Sequence, residues 1–126
     1  MWVARLNGDI LRYTGMIDWS RVVGFDWDAG NERKSADKDH VSQAEAEQAF
    51  FNRPLLVLED DRHSMAEARF HALGRTETGR ALHITFTLRR DATLIRVISA
   101  RDMSDKERAA YEETTKGCAE VSKRSG

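Results

Sequence analysis

The residues best suited to chemistry in this sequence are arginines, and they are concentrated in one stretch. Residues 60 to 101 contain eight Arg, no Lys and five acidic residues, a local balance of +3. The guanidinium group is a planar, permanently charged fork that matches phosphate oxygens, whereas the Lys ammonium is a point charge. This composition favours phosphate binding. A solvated sheet face whose Arg stems cover apolar area is the open alternative.

Two of these arginines lie at or near the ends of predicted strands. Arg69 and Arg101 are therefore the first candidates for stabilising the negative charge of a phosphate. Arg69 would instead form an ordinary surface ion pair if it met a neighbouring carboxylate such as Glu67. Arg101 has the same kind of alternative, because it can bind Glu107 across the turn that follows its strand.

Two further side chains are suited to proton transfer. His63 lies in a predicted loop between strands, and an ordinary histidine pKa of about 6.5 suits proton exchange near neutral pH. Tyr111 follows Glu107 by four residues, so the two share one helix face with Arg108 adjacent, and its phenol can act as an acid. A merely solvated histidine and a tyrosine that packs its helix onto the sheet are the alternatives.

Two other pairs have suggestive spacings. Lys34 and Lys38 are four residues apart and form either a phosphate-binding ridge or an ordinary solvated helix face. His71 and His83 lie on neighbouring predicted strands, which suggests a metal site, yet no third ligand stands at a useful spacing. We therefore predict no metal and no cofactor.

Other enzyme classes lack their characteristic motifs. No Gly-x-Ser-x-Gly sequence marks a serine hydrolase, and no Gly-rich loop precedes a helix to hold a nucleotide. Cys118 is the single cysteine, which excludes an internal disulfide and a site built from several thiolates.

The composition is typical of one globular domain. The chain has 126 residues, of which 40% are hydrophobic and 33% charged. Its apolar stretches are shorter than the roughly 20 residues of a membrane span, and its N-terminus lacks a signal-peptide pattern. We therefore expect a cytoplasmic protein without membrane contact. Residues 26 to 59, with four basic and eight acidic groups, have a balance of −4 and contrast with the Arg-rich stretch.

Helices are predicted on both sides of a group of strands. A polar helix is predicted over 28–38, and a capping box from Ser42 to Glu45 begins a second helix that ends near Asn52. Another capping box, from Ser104 to Glu107, begins a C-terminal helix.

Strand patterns occupy five segments, 22–27, 55–59, 67–74, 80–89 and 94–101. In the segment 80–89, apolar residues facing the core alternate with polar residues, among them His83, that face a wettable side. The last strand is apolar on both faces apart from Arg96, so we expect the C-terminal helix to cover its second face.

This order of elements predicts an α+β fold. Two N-terminal helices pack on a four- or five-stranded, mostly antiparallel sheet, and a C-terminal helix follows. Residues 1–15 are assigned to an N-terminal extension outside the domain, residues 16–116 to the domain, and residues 117–126 to a flexible tail. Met1 and Met16 both remain candidate starts.

Short motifs between Phe25 and Glu113 occur in a specific order. They are Phe25-Asp26-Trp27-Asp28, Gly30-Asn31, Lys34, Lys38, Val41 to Glu47, Phe50-Phe51, Glu59 to Ser64, Glu67, Arg69, Leu73 to Thr76, Arg96 to Arg101, Lys106-Glu107-Arg108 and Tyr111. In this order and spacing they resemble the BrnT toxin family. The resemblance implies a fold similar to the RelE ribonucleases and a BrnA-type antitoxin as partner.

The resemblance further implies the toxin of a type II toxin–antitoxin system, a metal-independent endoribonuclease of cellular RNA that reaches operator DNA only through its antitoxin. Such cleavage needs a base for the 2'-hydroxyl, positive charge on the phosphate and an acid for the leaving 5'-oxygen. The predicted catalytic residues are Arg69, Arg101, His63 and Tyr111. The predicted RNA-binding residues are Lys34, Lys38, His40, Arg62 and Arg96, with Glu107 and Arg108 supporting the helix face.

One position departs from the family pattern. The family places His directly after the second Lys, whereas here Asp39 follows Lys38 and His40 stands one residue later. On a helix, a shift of one position rotates a side chain by about 100°. The alternative function is therefore a catalytically degenerate toxin homologue, which acts with its antitoxin as a binding module or co-repressor on operator DNA.

Overall fold

The computed structural model describes residues 3–6, 9–13, 17, 19–28, 30, 40–52, 54–60 and 68–125. The strands are β1 (Val3–Leu6), β2 (Asp9–Tyr13), β3 (Gly24–Phe25), β4 (Leu56–Asp60), β5 (Arg69–Arg75), β6 (Ala81–Arg89) and β7 (Leu94–Asp102). The helices are α1 (Gln43–Phe51), α2 (Asp105–Ser125) and a short 3-10 helix (Trp19–Arg21). None of the helices in these ranges is both long and apolar enough to cross a membrane.

The strands form one seven-stranded sheet in the order β1-β2-β4-β5-β6-β7-β3. Every pair is antiparallel except β3, which runs parallel to β7 at one edge. The predicted α+β class and mostly antiparallel sheet are therefore confirmed. Five of these strands follow residue 16, in agreement with the four or five predicted, and the hairpin of β1 and β2 extends the sheet by pairing with β4.

One irregularity interrupts the pairing of β6 with β7. Thr85 is opposite Ser99, but the next residue, Phe86, is opposite Val97. Ile98 is therefore an extra residue in β7, which makes this a β-bulge.

Helix α1 begins at the predicted capping box. The Glu45 N–H donates to Ser42 Oγ, and the Ser42 N–H donates to Glu45 Oε1, each at 3.1 Å. The helix then lies so close to β5 that a Cβ atom on Gly74 would stand 2.7 Å from the carbonyl oxygen of Ala49. This close approach requires glycine at position 74.

The first core fills the space between α1 and the sheet. Phe50 of α1 is 5% exposed, and its ring lies edge-on to Phe86 of β6, with centroids 5.0 Å apart, and to Phe25 of β3 at 5.6 Å. Phe70 of β5 stacks on Phe86 at 5.4 Å. Burial of each such ring stabilises the fold by about 2 kcal/mol.

The second core lies on the opposite side of the sheet, under α2. Tyr111 of this helix packs with a buried group that includes Leu56, Leu58 and Leu73. Helix α2 therefore covers β4 and β5, and not mainly the last strand as the sequence suggested. Its predicted capping box is present, because the Glu107 N–H donates to Ser104 Oγ at 3.2 Å and the Ser104 N–H donates to Glu107 Oε1 at 2.9 Å.

The prediction of two N-terminal helices is not borne out. Within the described ranges, α1 is the one α-helix before β4 whose first and last residues can be given. Positions 29 and 31–38, which make up most of the first predicted helix, lie outside those ranges.

Two strand predictions also need correction. The predicted strand over 22–27 is reduced to Gly24 and Phe25, because only these two residues pair with β7. The polar side of β6 is not generally wettable, since His83 is 5% and Thr87 2% exposed. Contacts with Glu107 and with the carbonyl oxygen of Ala68 satisfy their polar atoms.

Candidate active site

Four polar side chains meet on the side of the sheet that faces α2. They are His71 of β5, His83 of β6, Arg101 of β7 and Glu107 in the first turn of α2, and we call them the His–Glu–Arg cluster. The strand register places His83 directly opposite Arg101 and places His71 opposite Thr85. Three neighbouring strands and the start of one helix therefore fix the four groups.

Glu107 is the buried centre of this cluster, with no exposed surface. Its Oε1 accepts from Arg101 Nη1 at 2.8 Å, and its Oε2 accepts from Arg101 Nη2 at 2.8 Å and lies 2.7 Å from His83 Nδ1. Burial alone raises the pKa of this carboxyl, but the hydrogen bonds from His83, Arg101 and Ser104 outweigh it. The pKa of Glu107 consequently lies well below its ordinary value, and the group is a carboxylate at neutral pH.

The carboxylate decides where His83 carries its proton. His83 Nδ1 lies 2.7 Å from Glu107 Oε2 and 2.9 Å from Arg101 Nη2. Because an ionised carboxylate can only accept, and lies closer, we assign the Nδ1 proton to a hydrogen bond with Glu107. The second nitrogen, Nε2, then faces His71.

The two histidines are in direct hydrogen-bond contact. His71 Nδ1 is 2.7 Å from His83 Nε2, and Thr85 Oγ1 is 3.2 Å from the same His71 nitrogen. When both rings are neutral, His71 donates through Nδ1 to His83, and His71 Nε2 is the proton-accepting nitrogen. The three side chains thus form a continuous line of hydrogen bonds from Glu107 through His83 to His71.

Arginines extend the polar surface beside the cluster. Arg69 lies on the same strand face as His71, because Phe70 between them packs into the first core. The register also places Arg96 opposite Thr87, on the side that carries Arg101. We call Arg69, Arg96 and Arg101 the basic face.

Two of these arginines are held by carboxylates. Arg96 donates to Asp28 at 2.7 Å and lies 3.5 Å from Asp26, and chiefly the bond to Asp28 raises its pKa. Arg101 is bound by Glu107, yet 37% of its side chain is exposed. Two of the three guanidinium groups of the basic face are therefore oriented by ion pairs.

The predicted residues are distributed unequally over the structure. Arg69, Arg96, Arg101 and Glu107 share one face, and Glu107 proves to be the centre of a cluster. His40 and Arg108 are exposed at other positions. The predicted residues Lys34, Lys38, Arg62 and His63 lie outside the described residues.

Tyr111 is placed in the second core, where it is 1% exposed. Its hydroxyl donates to the carbonyl oxygen of Pro54, and the guanidinium carbon of Arg75 lies 5.5 Å from its ring centroid. Burial raises the pKa of the phenol, against a smaller opposing effect of Arg75. These contacts match the packing role that was the alternative for this residue.

His71 and His83 were not predicted to transfer protons, although they were expected to be cross-strand neighbours. The available signal was a histidine on each of two adjacent strands together with a Glu at the third position of the following helix. In the part of the chain that the structure describes, no three His, Cys, Asp or Glu side chains are arranged to hold a metal ion.

Comparison with known proteins gives one family match. A family model described as "Ribonuclease toxin, BrnT, of type II toxin-antitoxin system" matches residues 27–107. This range contains α1, β4 to β7 and the whole His–Glu–Arg cluster. No curated protein matches the chain significantly.

Proposed function

Because this chain belongs to the BrnT family of ribonuclease toxins from type II toxin–antitoxin systems, we propose that it cleaves cellular RNA at the His–Glu–Arg cluster without a metal ion. The observation that carries the proposal is the line of hydrogen bonds from buried Glu107 through His83 to His71. This line ends beside Arg69, on the same face as Arg101. A proton acceptor and guanidinium groups are thus available to one bound phosphodiester.

The proposed reaction is an internal transesterification. His71 Nε2 removes the proton from the ribose 2'-hydroxyl, and the 2'-oxygen attacks phosphorus. The bond from phosphorus to the 5'-oxygen breaks, which leaves a 2',3'-cyclic phosphate and a 5'-hydroxyl. Arg69 and Arg101 stabilise the negative charge that builds up on the phosphate. We assign His63 as the acid that donates a proton to the leaving 5'-oxygen.

The buried pair of His83 and Glu107 acts on His71 through the hydrogen bond between the two histidines. Glu107 holds the proton of His83 on Nδ1, so Nε2 of His83 accepts from His71 and fixes its tautomer. When His71 becomes protonated, the carboxylate stabilises the added charge. His83 and Glu107 are therefore positioning residues, and His71 is the residue that contacts substrate.

The partner of a toxin in this family is an antitoxin. We propose that it is of the BrnA type, that it covers the basic face, and that the toxin reaches operator DNA only as part of that complex. The RNA-binding roles of Lys34, Lys38, Arg62 and His40 belong to the same proposal.

The direct test is cleavage of end-labelled RNA by the purified toxin with EDTA present. We expect undiminished cleavage, a cyclic or 3'-phosphate on the upstream product, and rates about 100-fold lower for Arg69→Ala and Arg101→Ala. Arg90→Ala, at an exposed position in the turn before β7, is the matched control. Wild-type rates in both variants would refute the site, and cleavage that stops with EDTA and returns with Mg²⁺ would refute metal independence.

The alternative of a degenerate toxin rests on the order of Asp39 and His40. Exchanging the two residues restores the family order and decides between the alternatives. If the His–Glu–Arg cluster performs the reaction, the exchanged variant and the natural protein cleave RNA at similar rates. Cleavage or growth arrest that appears only after the exchange would identify the natural protein as degenerate.

A further inference from the structure

A groove of about 580 Å³ lies on the side of the sheet opposite the His–Glu–Arg cluster. It runs between α1 and the edge strand β3, and most of its lining is apolar or aromatic. The residues that matter here are Trp19, Val23, Phe25, Trp27, Glu47 and Phe51.

The groove collects the exposed large hydrophobic side chains of the described residues. Val23 is 79% exposed, Phe51 73% and Trp19 38%, and all three line this groove. A contiguous exposed apolar patch of this kind marks a surface that binds another molecule, since leaving it in water is unfavourable.

Among the described residues, one acidic side chain lines the groove. The Glu47 carboxylate lies in its wall, where Oε2 accepts from Trp27 Nε1 at 2.7 Å and from Gln43 Nε2 at 3.4 Å. An apolar segment with a flanking Lys or Arg that reaches Glu47 would therefore be complementary both to the apolar lining and to this carboxylate.

We propose that this groove binds an apolar segment of the antitoxin that is flanked by basic residues. The inference rests on the proposed toxin–antitoxin partnership and adds a second contact area to it. The apolar side chains pack against Phe51 and Trp27, and a cation of the segment faces Glu47. Because the groove and the basic face lie on opposite sides of the sheet, occupation of one does not displace a ligand from the other.

The test measures the affinity of the full toxin for the antitoxin encoded in the adjacent reading frame, by calorimetric titration. Val23→Lys and Phe51→Lys place a positive charge at exposed positions of the groove, and we expect each to weaken binding at least tenfold. Ala109→Lys, at an exposed position of α2 on the other side of the sheet, is the matched control and should bind as the wild type does. Thermal melting of each free variant verifies that it is folded.

Wild-type affinity in the double variant Val23→Lys/Phe51→Lys would overturn the inference. Sedimentation of the free toxin supplies a second test, since a wild-type dimer that Val23→Lys dissociates would show that another copy occupies the groove. RNA cleavage by the wild type is measured separately. Its failure would remove the proposed ribonuclease activity and leave the result on the groove unchanged, so the two failures are distinguishable.

Discussion

The two sides of the central sheet are built from the same strands but differ in how they are held. The side under α1 is packed almost entirely with aliphatic side chains and aromatic rings around Phe50. The side under α2 combines a smaller apolar core with a buried carboxylate, two histidines and three arginines. Because successive residues of a strand face opposite ways, one strand contributes to both sides. The comparison suggests that stability depends mainly on the first side and chemistry on the second, with Glu107 contributing to both.

Truncation of Phe50 is the strongest test of the apolar side. We expect Phe50→Ala to lower the free energy of unfolding by about 4 kcal/mol, because it leaves a cavity among Phe25, Phe86 and Trp19. Chemical denaturation measures the loss. Phe51→Ala, at a position 73% exposed, is the neighbouring control and should cost far less; equal losses would show that packing around Phe50 is not what holds this side.

Glu107 tests whether the polar side also contributes to stability. Glu107→Gln leaves Arg101 without its carboxylate partner, and we expect a loss of about 3 kcal/mol at pH 7. The pKa of Glu107 is lowered in the folded state, so its contribution is fully present above the ordinary value of 4.5 and is lost as the pH falls below it. The difference between wild type and variant should therefore shrink during acid titration.

The control for that measurement is Glu112→Gln. Glu112 lies 3.9 Å from Arg75 with 55% of its side chain exposed, so its loss should cost less than about 1 kcal/mol. A difference between wild type and Glu107→Gln that stays constant down to pH 2 would contradict the assigned ionisation of Glu107.

Substitution of His71 tests the catalytic step separately from the stability of the fold. We expect His71→Gln to lower kcat/KM for RNA cleavage about 100-fold, because glutamine cannot accept the proton of the 2'-hydroxyl. Its effect on unfolding should be small, since the side chain is only half-buried. The limb of the wild-type pH profile that reports ionisation of the base should also be lost in the variant. Ser99→Ala, on the same side of the sheet, is the control, and an unchanged profile in His71→Gln would exclude this residue as the base.

Asp28 provides the smallest expected effect. Asp28→Ala removes an exposed carboxylate from Arg96, which should change the free energy of unfolding by less than about 1 kcal/mol. Removing a negative charge beside the basic face should also tighten RNA binding slightly at low salt, as measured by fluorescence anisotropy. Glu113→Gln, an exposed change on α2, is the charge-matched control. Weaker binding in Asp28→Ala would indicate that Asp28 orients Arg96 for RNA.

Local sequence patterns predicted most of the scaffold. Both capping boxes and the four strands β4 to β7 follow from residues close together in the chain, such as Ser42 with Glu45. Strand β3 was predicted too long, because its length depends on a parallel partner about 70 residues away, where Gly24 pairs with Leu94. No local pattern records that distant pairing.

The candidate site was harder to predict for the same reason. Arg101 and Arg69 were predicted by residue type, whereas the role proposed for His71 depends on two strand registers and on the direction of α2. Glu107 was recognised as part of a cap, and capping alone explains a Glu at that position. Its contact with Arg101 was the alternative that the sequence left open, and its contact with His83 depends on the distant strand β6.

The β-bulge at Ile98 explains how Arg96 and Arg101 come to lie on the same side of the sheet. Arg96 and Arg101 are separated by an odd number of positions, and in an uninterrupted strand an odd separation places two side chains on opposite faces. The extra residue in β7 restores the match, so both guanidinium groups point the same way. Without Ile98 the two arginines would be four positions apart in a regular strand and would still share a face, so the bulge is what lets β7 hold this additional residue without turning Arg101 away. The bulge thus lets two arginines five positions apart serve a single surface.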